Sequence, residues 1–180
     1  MTKLNSNGIK TPGQEWCGTD PVEILYPSVS SCITVTCVVE EGLAGLHLAA
    51  MLYAEMTDKD ITAYGEIVKN PTAMYVVGML SRRWAADSQR NFTGLTYGSS
   101  SGGTLIARLR EATQFAGVVF VCDTSGLGEE LDITATRSLA GVEFAYVGPD
   151  GSKQTLTTFE RVAGSVPFAP QKKSGGCIIL

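Results

Sequence analysis

One histidine, His47, is present in 180 residues, and the five cysteines (Cys17, Cys32, Cys37, Cys122 and Cys177) show no CxxC spacing. So small a supply of ligands excludes a zinc site of the usual Cys/His type, and nothing in the pattern calls for another cofactor. An odd, scattered set of thiols reads as reduced. Basic residues are sparse as well: 14 Lys and Arg stand against 18 Asp and Glu, and they form no stripe, which excludes a nucleic-acid partner. No apolar run approaches the roughly 20 residues that a membrane-crossing helix needs, and Met1 to Ser6 lacks the apolar stretch of a secretory leader. The chain is expected to be made or delivered in soluble form.

Hydrophobic residues make up 44% of the chain, enough for one substantial core. Residues 1–20, polar and rich in Gly, Asn and Thr, are expected to be a flexible arm, residues 21–168 a single catalytic domain, and residues 169–180 a flexible tail. Val22 to Tyr26 alternates weakly. Ile33 to Val39 is β-branched along nearly its whole length and reads as a buried strand, Glu40-Glu41-Gly42 as a turn, and Leu43 to Met51 as the returning strand. Helical spacing runs through Asp58 to Lys69, ended by Asn70-Pro71, and through Thr104 to Phe115, with Thr104 as cap. Ala73 to Leu80, Val118 to Cys122, Leu131 to Arg137, Val142 to Val147 and Gln154 to Phe159 have strand composition, the last two joined by Gly148-Pro149-Asp150-Gly151. About two helices against about seven strands, mostly in hairpins, predict an α+β layered sandwich of antiparallel or mixed sheet and not a doubly wound parallel sheet.

A thiol becomes a useful nucleophile only when its pKa falls or a base takes its proton, so the chemistry points to Cys32 and to the one available imidazole, His47. If Thr34 stands opposite His47 in a hairpin, Cys32 lies diagonal to the imidazole on the same face; a slip of one residue separates them. Cys32 also opens its strand, after Pro27-Ser28-Val29-Ser30-Ser31, where the backbone at Ser30 and Ser31 can stay unpaired and receive an oxyanion. The plainer alternative is a small buried thiol and a core histidine.

A serine–cysteine pair opening a β-branched strand, a glycine turn, and a histidine fifteen positions after the cysteine resemble the catalytic segment of the cytotoxic necrotizing factor deamidase domains. They are more loosely similar to the chemoreceptor deamidases of the CheD family. The likeness covers about residues 22 to 52, and Val29-Ser30-Ser31-Cys32 stands where the first family typically has Leu-Ser-Gly-Cys. It implies a bacterial toxin or effector with protein-glutamine deamidase activity: Cys32 attacks a side-chain carboxamide, His47 protonates the departing ammonia, and water hydrolyses the thioester. The implied substrate is the switch glutamine of a Rho-family small GTPase, which positions the water for GTP hydrolysis. Transamidation would pass through the same thioester. The group that orients His47 stays open between backbone carbonyls near Val22 to Tyr26 and a side chain.

The last residues, Cys177-Ile178-Ile179-Leu180, have the form read by eukaryotic prenyltransferases, the final leucine favouring geranylgeranyl. With the polar, basic stretch Pro170-Gln171-Lys172-Lys173-Ser174-Gly175-Gly176 before them, they resemble Rho-family tails. The expectation is a secreted bacterial protein acting in a host cell, modified by a host prenyltransferase at Cys177 and held at host membranes, or cytoplasmic if unprenylated. Two other readings stand beside it: a catalytically silent, prenylated binding module, and a cysteine or serine hydrolase. For the latter, Gly98-Ser99-Ser100-Ser101-Gly102 has the form of a nucleophile elbow, but the chain's histidine precedes it, against the order that fold requires. The same stretch lacks the lysine of a phosphate loop. Asp123-Thr124-Ser125-Gly126 and Asp132 read as turn residues, and Arg82-Arg83-Trp84 as a solvated helix start with an anchoring aromatic.

Overall fold

The structure, a computed structural model, describes residues 1–8, 14–50, 54–85, 94–98 and 103–164. Cys177 with the rest of the prenylation signal, and the serines of the 98–102 loop, lie outside these residues.

The β-branched run and the turn after it form the expected hairpin, β4 (Ile33–Val39) with β5 (Gly42–Leu48). Around it stand β1 (Thr2–Lys3), β2 (Cys17–Asp20), β3 (Glu23–Val29), β6 (Ala73–Gly78), β7 (Val119–Asp123), β8 (Leu131–Ser138), β9 (Gly141–Val147), β10 (Lys153–Thr155) and β11 (Glu160–Val162), with helices α1 (Ala54–Ile67) and α2 (Gly103–Thr113). One sheet has the order β11-β7-β6-β4-β5-β2 and the other β1-β3-β8-β9-β10. β1 runs parallel to β3 and β6 to β7; the remaining neighbours are antiparallel.

Period-two alternation along β4 separates two cores. Ile33, Val35 and Cys37 face Ile61 and Tyr64 of α1 and Leu105, Ile106 and Leu109 of α2. The opposite face of the six-stranded sheet meets Ile24, Tyr26, Ile133 and Phe144 of the five-stranded sheet. The result is an α+β sandwich, as the composition of the elements predicted, and its layers run helices on sheet on sheet.

Four local expectations are corrected. Residues 1–8 and 14–20 are not a loose arm: β1 pairs with β3, β2 pairs with β5, and the Leu4 side chain is fully buried between the sheets. A polar segment anchored by Leu4 and by the partly buried Trp16 is ordered here largely by its backbone hydrogen bonds, which sequence composition does not report. The strand expected over Gln154 to Phe159 stops at Thr155; Phe159 packs on Tyr75 and Phe144, and the chain then joins the other sheet as β11. α2 begins at Gly103, and Thr104 is not its cap, because its Oγ1 accepts the Thr96 N–H at 2.8 Å. Leu80–Trp84 forms a π-helical turn with Trp84 buried, so Arg82-Arg83-Trp84 does not start a longer helix.

Candidate active site

The β4–β5 register sets Thr34 opposite His47 and Ile33 opposite Leu48. Cys32, immediately before β4, therefore shares the face of Thr34 and lies diagonal to the imidazole, a relation that separates backbone positions by about 7–8 Å. Both side chains point into the layer between the sheets, where His47 is fully buried with its ring edge-on to Tyr26 at 6.0 Å between centroids. The His47 Nδ1 lies 2.9 Å from the Leu4 carbonyl oxygen. Since a carbonyl only accepts, Nδ1 carries the proton and Nε2 keeps its lone pair. Nε2 has no hydrogen-bond partner among the described residues. Burial lowers the His47 pKa to about 4, with the Leu4 bond acting the other way, so the ring is neutral at pH 7.

Cys32 is 5% exposed and forms part of the wall of a cavity of about 600 Å³, which Lys3, Ser6, Ser28, Ser30 and Ser31 also line. Its Sγ donates to Ser6 Oγ at 3.4 Å and is not bonded to His47. Burial pushes the thiol up; the Ser6 hydroxyl, the Ser31 N–H and hydroxyl, and the Ser30 N–H work in the opposite direction. The pair is thus uncharged at rest, a protonated thiol beside a neutral imidazole. For a proton to pass between them the sulfur would have to leave Ser6 for Nε2, the kind of rearrangement that bound substrate can bring to catalytic hydrogen bonds.

The loop that carries the thiol is fixed from several sides. A register shift between Tyr26 and Val29 leaves Ser28 in the left-handed region, at φ 55, with its N–H on Asp132 Oδ1 at 2.8 Å. Strain of this kind, about 1–3 kcal/mol for a residue other than glycine, persists only where the surroundings impose it. Trp84 Nε1 donates to the Ser31 carbonyl at 3.1 Å, which accounts for the burial of that indole. Gly78 lets β6 approach the loop: a Cβ there would stand 2.6 Å from the Cys32 carbonyl oxygen. Gly45, two residues before the histidine, makes room for the Tyr26 hydroxyl, which a Cβ would meet at 2.5 Å. Asn7 clamps the N-terminal segment, donating to Asp60 Oδ2 at 2.6 Å and accepting the Ala49 N–H at 2.7 Å.

Of the expected site residues, Cys32, Ser30 and Ser31 share one cavity, whereas His47 shares the strand face of Cys32 but does not line that cavity. The orienting carbonyl comes from Leu4; the 22–26 stretch acts one step removed, with the Leu25 carbonyl holding the Leu4 N–H at 2.9 Å. Leu4, Ser6 and Asn7 escape a sequence reading, whereas Gly45, an isolated glycine inside an apolar strand, is a recognised sign of close approach. Burial raises Cys17 to about 11, Cys37 to about 12 and Cys122 to about 11, leaving them inert at neutral pH. Asp123 serves the turn after β7, accepting the N–H groups of Leu80 and Ser125. Among the described residues no group of three His, Cys, Asp or Glu side chains could hold a metal ion, and no helix is long and apolar enough to cross a membrane. Compared with known protein families and with curated proteins, the chain matches neither.

Proposed function

We propose that the protein is a protein-glutamine deamidase that works through a Cys32–His47 thioester mechanism, with the switch glutamine of a Rho-family small GTPase as its substrate. The observation that carries this reading is a neutral imidazole, its Nδ1 proton held by Leu4 and its Nε2 bare, on the same strand face as a thiol that borders an open cavity. The substrate class rests on the family resemblance around residues 22 to 52 and on the Rho-like tail.

In the first step a bond forms between Cys32 Sγ and the carboxamide carbon while Nε2 takes the thiol proton and the carbonyl π pair moves onto oxygen. A neutral base suits a thiol that burial keeps protonated, since neither group is charged before substrate arrives. The Ser30 and Ser31 N–H groups, which already favour charge at the sulfur, are available to the oxyanion. The adduct collapses as the imidazolium protonates the amide nitrogen and ammonia leaves. Water then adds to the thioester with Nε2 as base, and release of the Cys32 thiol leaves glutamate. One water is consumed and one ammonia released.

Intact-protein mass spectrometry of candidate GTPases after incubation tests this, since each converted amide adds about 1 Da. Cys32→Ser and His47→Ala should each abolish the gain while thermal unfolding shows both variants still folded. Conversion that survives either substitution overturns the dyad. Should the wild-type protein convert no glutamine, a silent lipid-anchored binding module and a cysteine or serine hydrolase are the readings left standing.

A further inference from the structure

We propose that Ser6 is a catalytic residue of this site: its hydroxyl accepts the Cys32 thiol at rest and becomes the donor that stabilises the sulfur, and then the oxyanion, once the thiol proton has moved to His47. The oxyanion part rests on the deamidase reading. The hold on the sulfur does not, because it needs no substrate.

A hydroxyl has two lone pairs and one proton to place. Both lone pairs of Ser6 Oγ are engaged, by the Cys32 S–H at 3.4 Å and by the Gly8 N–H at 3.3 Å. Its own proton has no acceptor among the described residues. Ser6 lines the same cavity as Ser30, Ser31 and Cys32, which leaves that proton beside the space where substrate reacts. When Nε2 takes the thiol proton, the electron pair stays on sulfur, and the sulfur changes from donor to acceptor. The adjacent hydroxyl answers by turning its O–H toward it. No bond to Ser6 forms or breaks.

The placement of Ser6 is built. Leu4, two residues earlier, is tied through its N–H to the Leu25 carbonyl and through its carbonyl to His47; Asn7, the next residue, is tied to Asp60 and Ala49. One short stretch of chain therefore presents a carbonyl to one member of the dyad and a hydroxyl to the other. Burial opposes ionisation of Cys32, and the Ser6 contact acts against that opposition, the direction the assignment requires.

The test follows alkylation of Cys32 by iodoacetamide in the full chain without substrate, with peptide mass spectrometry scoring the other cysteines separately. Because hydrogen bonds to charged groups are the strong ones, Ser6→Ala should slow Cys32 alkylation at pH 8 about tenfold and move its pH profile to more alkaline values. Ser6→Thr, which keeps the hydroxyl, should restore the wild-type profile. On a GTPase that the wild-type protein converts, Ser6→Ala should lower kcat with KM unchanged. An unchanged alkylation profile in Ser6→Ala overturns the assignment, and so does equal slowing in Ser6→Thr, which would mean that packing alone is at stake. A shifted profile in a protein that deamidates nothing would sink the deamidase reading and the oxyanion role with it, and leave only the hold of Ser6 on the sulfur.

Discussion

Burial takes the His47 pKa from 6.5 to about 4, so between those values the unfolded chain binds a proton that the folded chain refuses. Stability that is complete above pH 6.5 is lost progressively as the pH falls toward 4, by about 3 kcal/mol at 1.36 kcal/mol per unit. Urea unfolding of the wild type and of His47→Gln, compared from pH 7 to pH 4.5, isolates this contribution, since the carboxylates titrate alike in both. The variant should show the shallower decline. Equal slopes would mean that His47 titrates normally and is not sealed between the sheets. Cys32 and His47 were legible in the sequence because one imidazole and one β-branched hairpin leave few ways to bring a base to a thiol. Leu4 and Ser6 were not, because a backbone carbonyl belongs to every residue and a serine hydroxyl in a polar stretch has no distinguishing neighbour.

At the scale of elements, the β4–β5 hairpin depends on what it is allowed to approach. In Gly45→Ala the added carbon would stand 2.5 Å from the Tyr26 hydroxyl, 2.6 Å from Leu4 Cδ1 and 2.9 Å from Ile24 Cδ1. The hydroxyl cannot yield easily, since it is buried and lies 2.7 Å from Thr36 Oγ1 and 3.2 Å from the Val35 carbonyl. Overpacking of this kind costs about 1–3 kcal/mol, so the urea midpoint of Gly45→Ala should fall by a corresponding amount, with activity falling further as Leu4 and Tyr26 are displaced from His47. A midpoint at the wild-type value would show that the sheets slide apart at no cost. The hairpin was readable because its strand run, turn and return agree on one register. β1 was not, because two residues paired parallel to β3 carry no period, and β10 was misjudged because Phe159 continues the strand-like composition while its ring serves the core between the sheets. The α+β layering followed from the count and order of elements, which a local error does not disturb.

For the molecule as a whole, the proposed anchor and the proposed catalyst occupy separate parts of the chain, with Gly175 and Gly176 between the domain and Cys177. Lys172 and Lys173 would contribute only about 1 kcal/mol each at an anionic leaflet, whereas a prenyl chain adds about 0.8 kcal/mol per buried methylene. Cys177→Ser should therefore move the protein from membranes to cytosol in eukaryotic cells, as should a geranylgeranyltransferase inhibitor, with turnover on soluble substrate unchanged. Fractionation reads the outcome, and a wild type found in the cytosol would make the last four residues ordinary chain. Lipid on enzyme and substrate alike would confine the encounter to one surface, raising effective concentration without a new contact. Within the domain, the segment that holds both Leu4 and Ser6 has only two strand residues and is fixed besides by the buried Leu4 side chain and by the Asn7 bonds to Asp60 and Ala49, while β4 and β5 are paired along seven. An opening that detached that segment would strip the dyad of its carbonyl and its hydroxyl together. On the proposed mechanism the competent form is the one in which that segment is docked, a local equilibrium that a melting curve does not report.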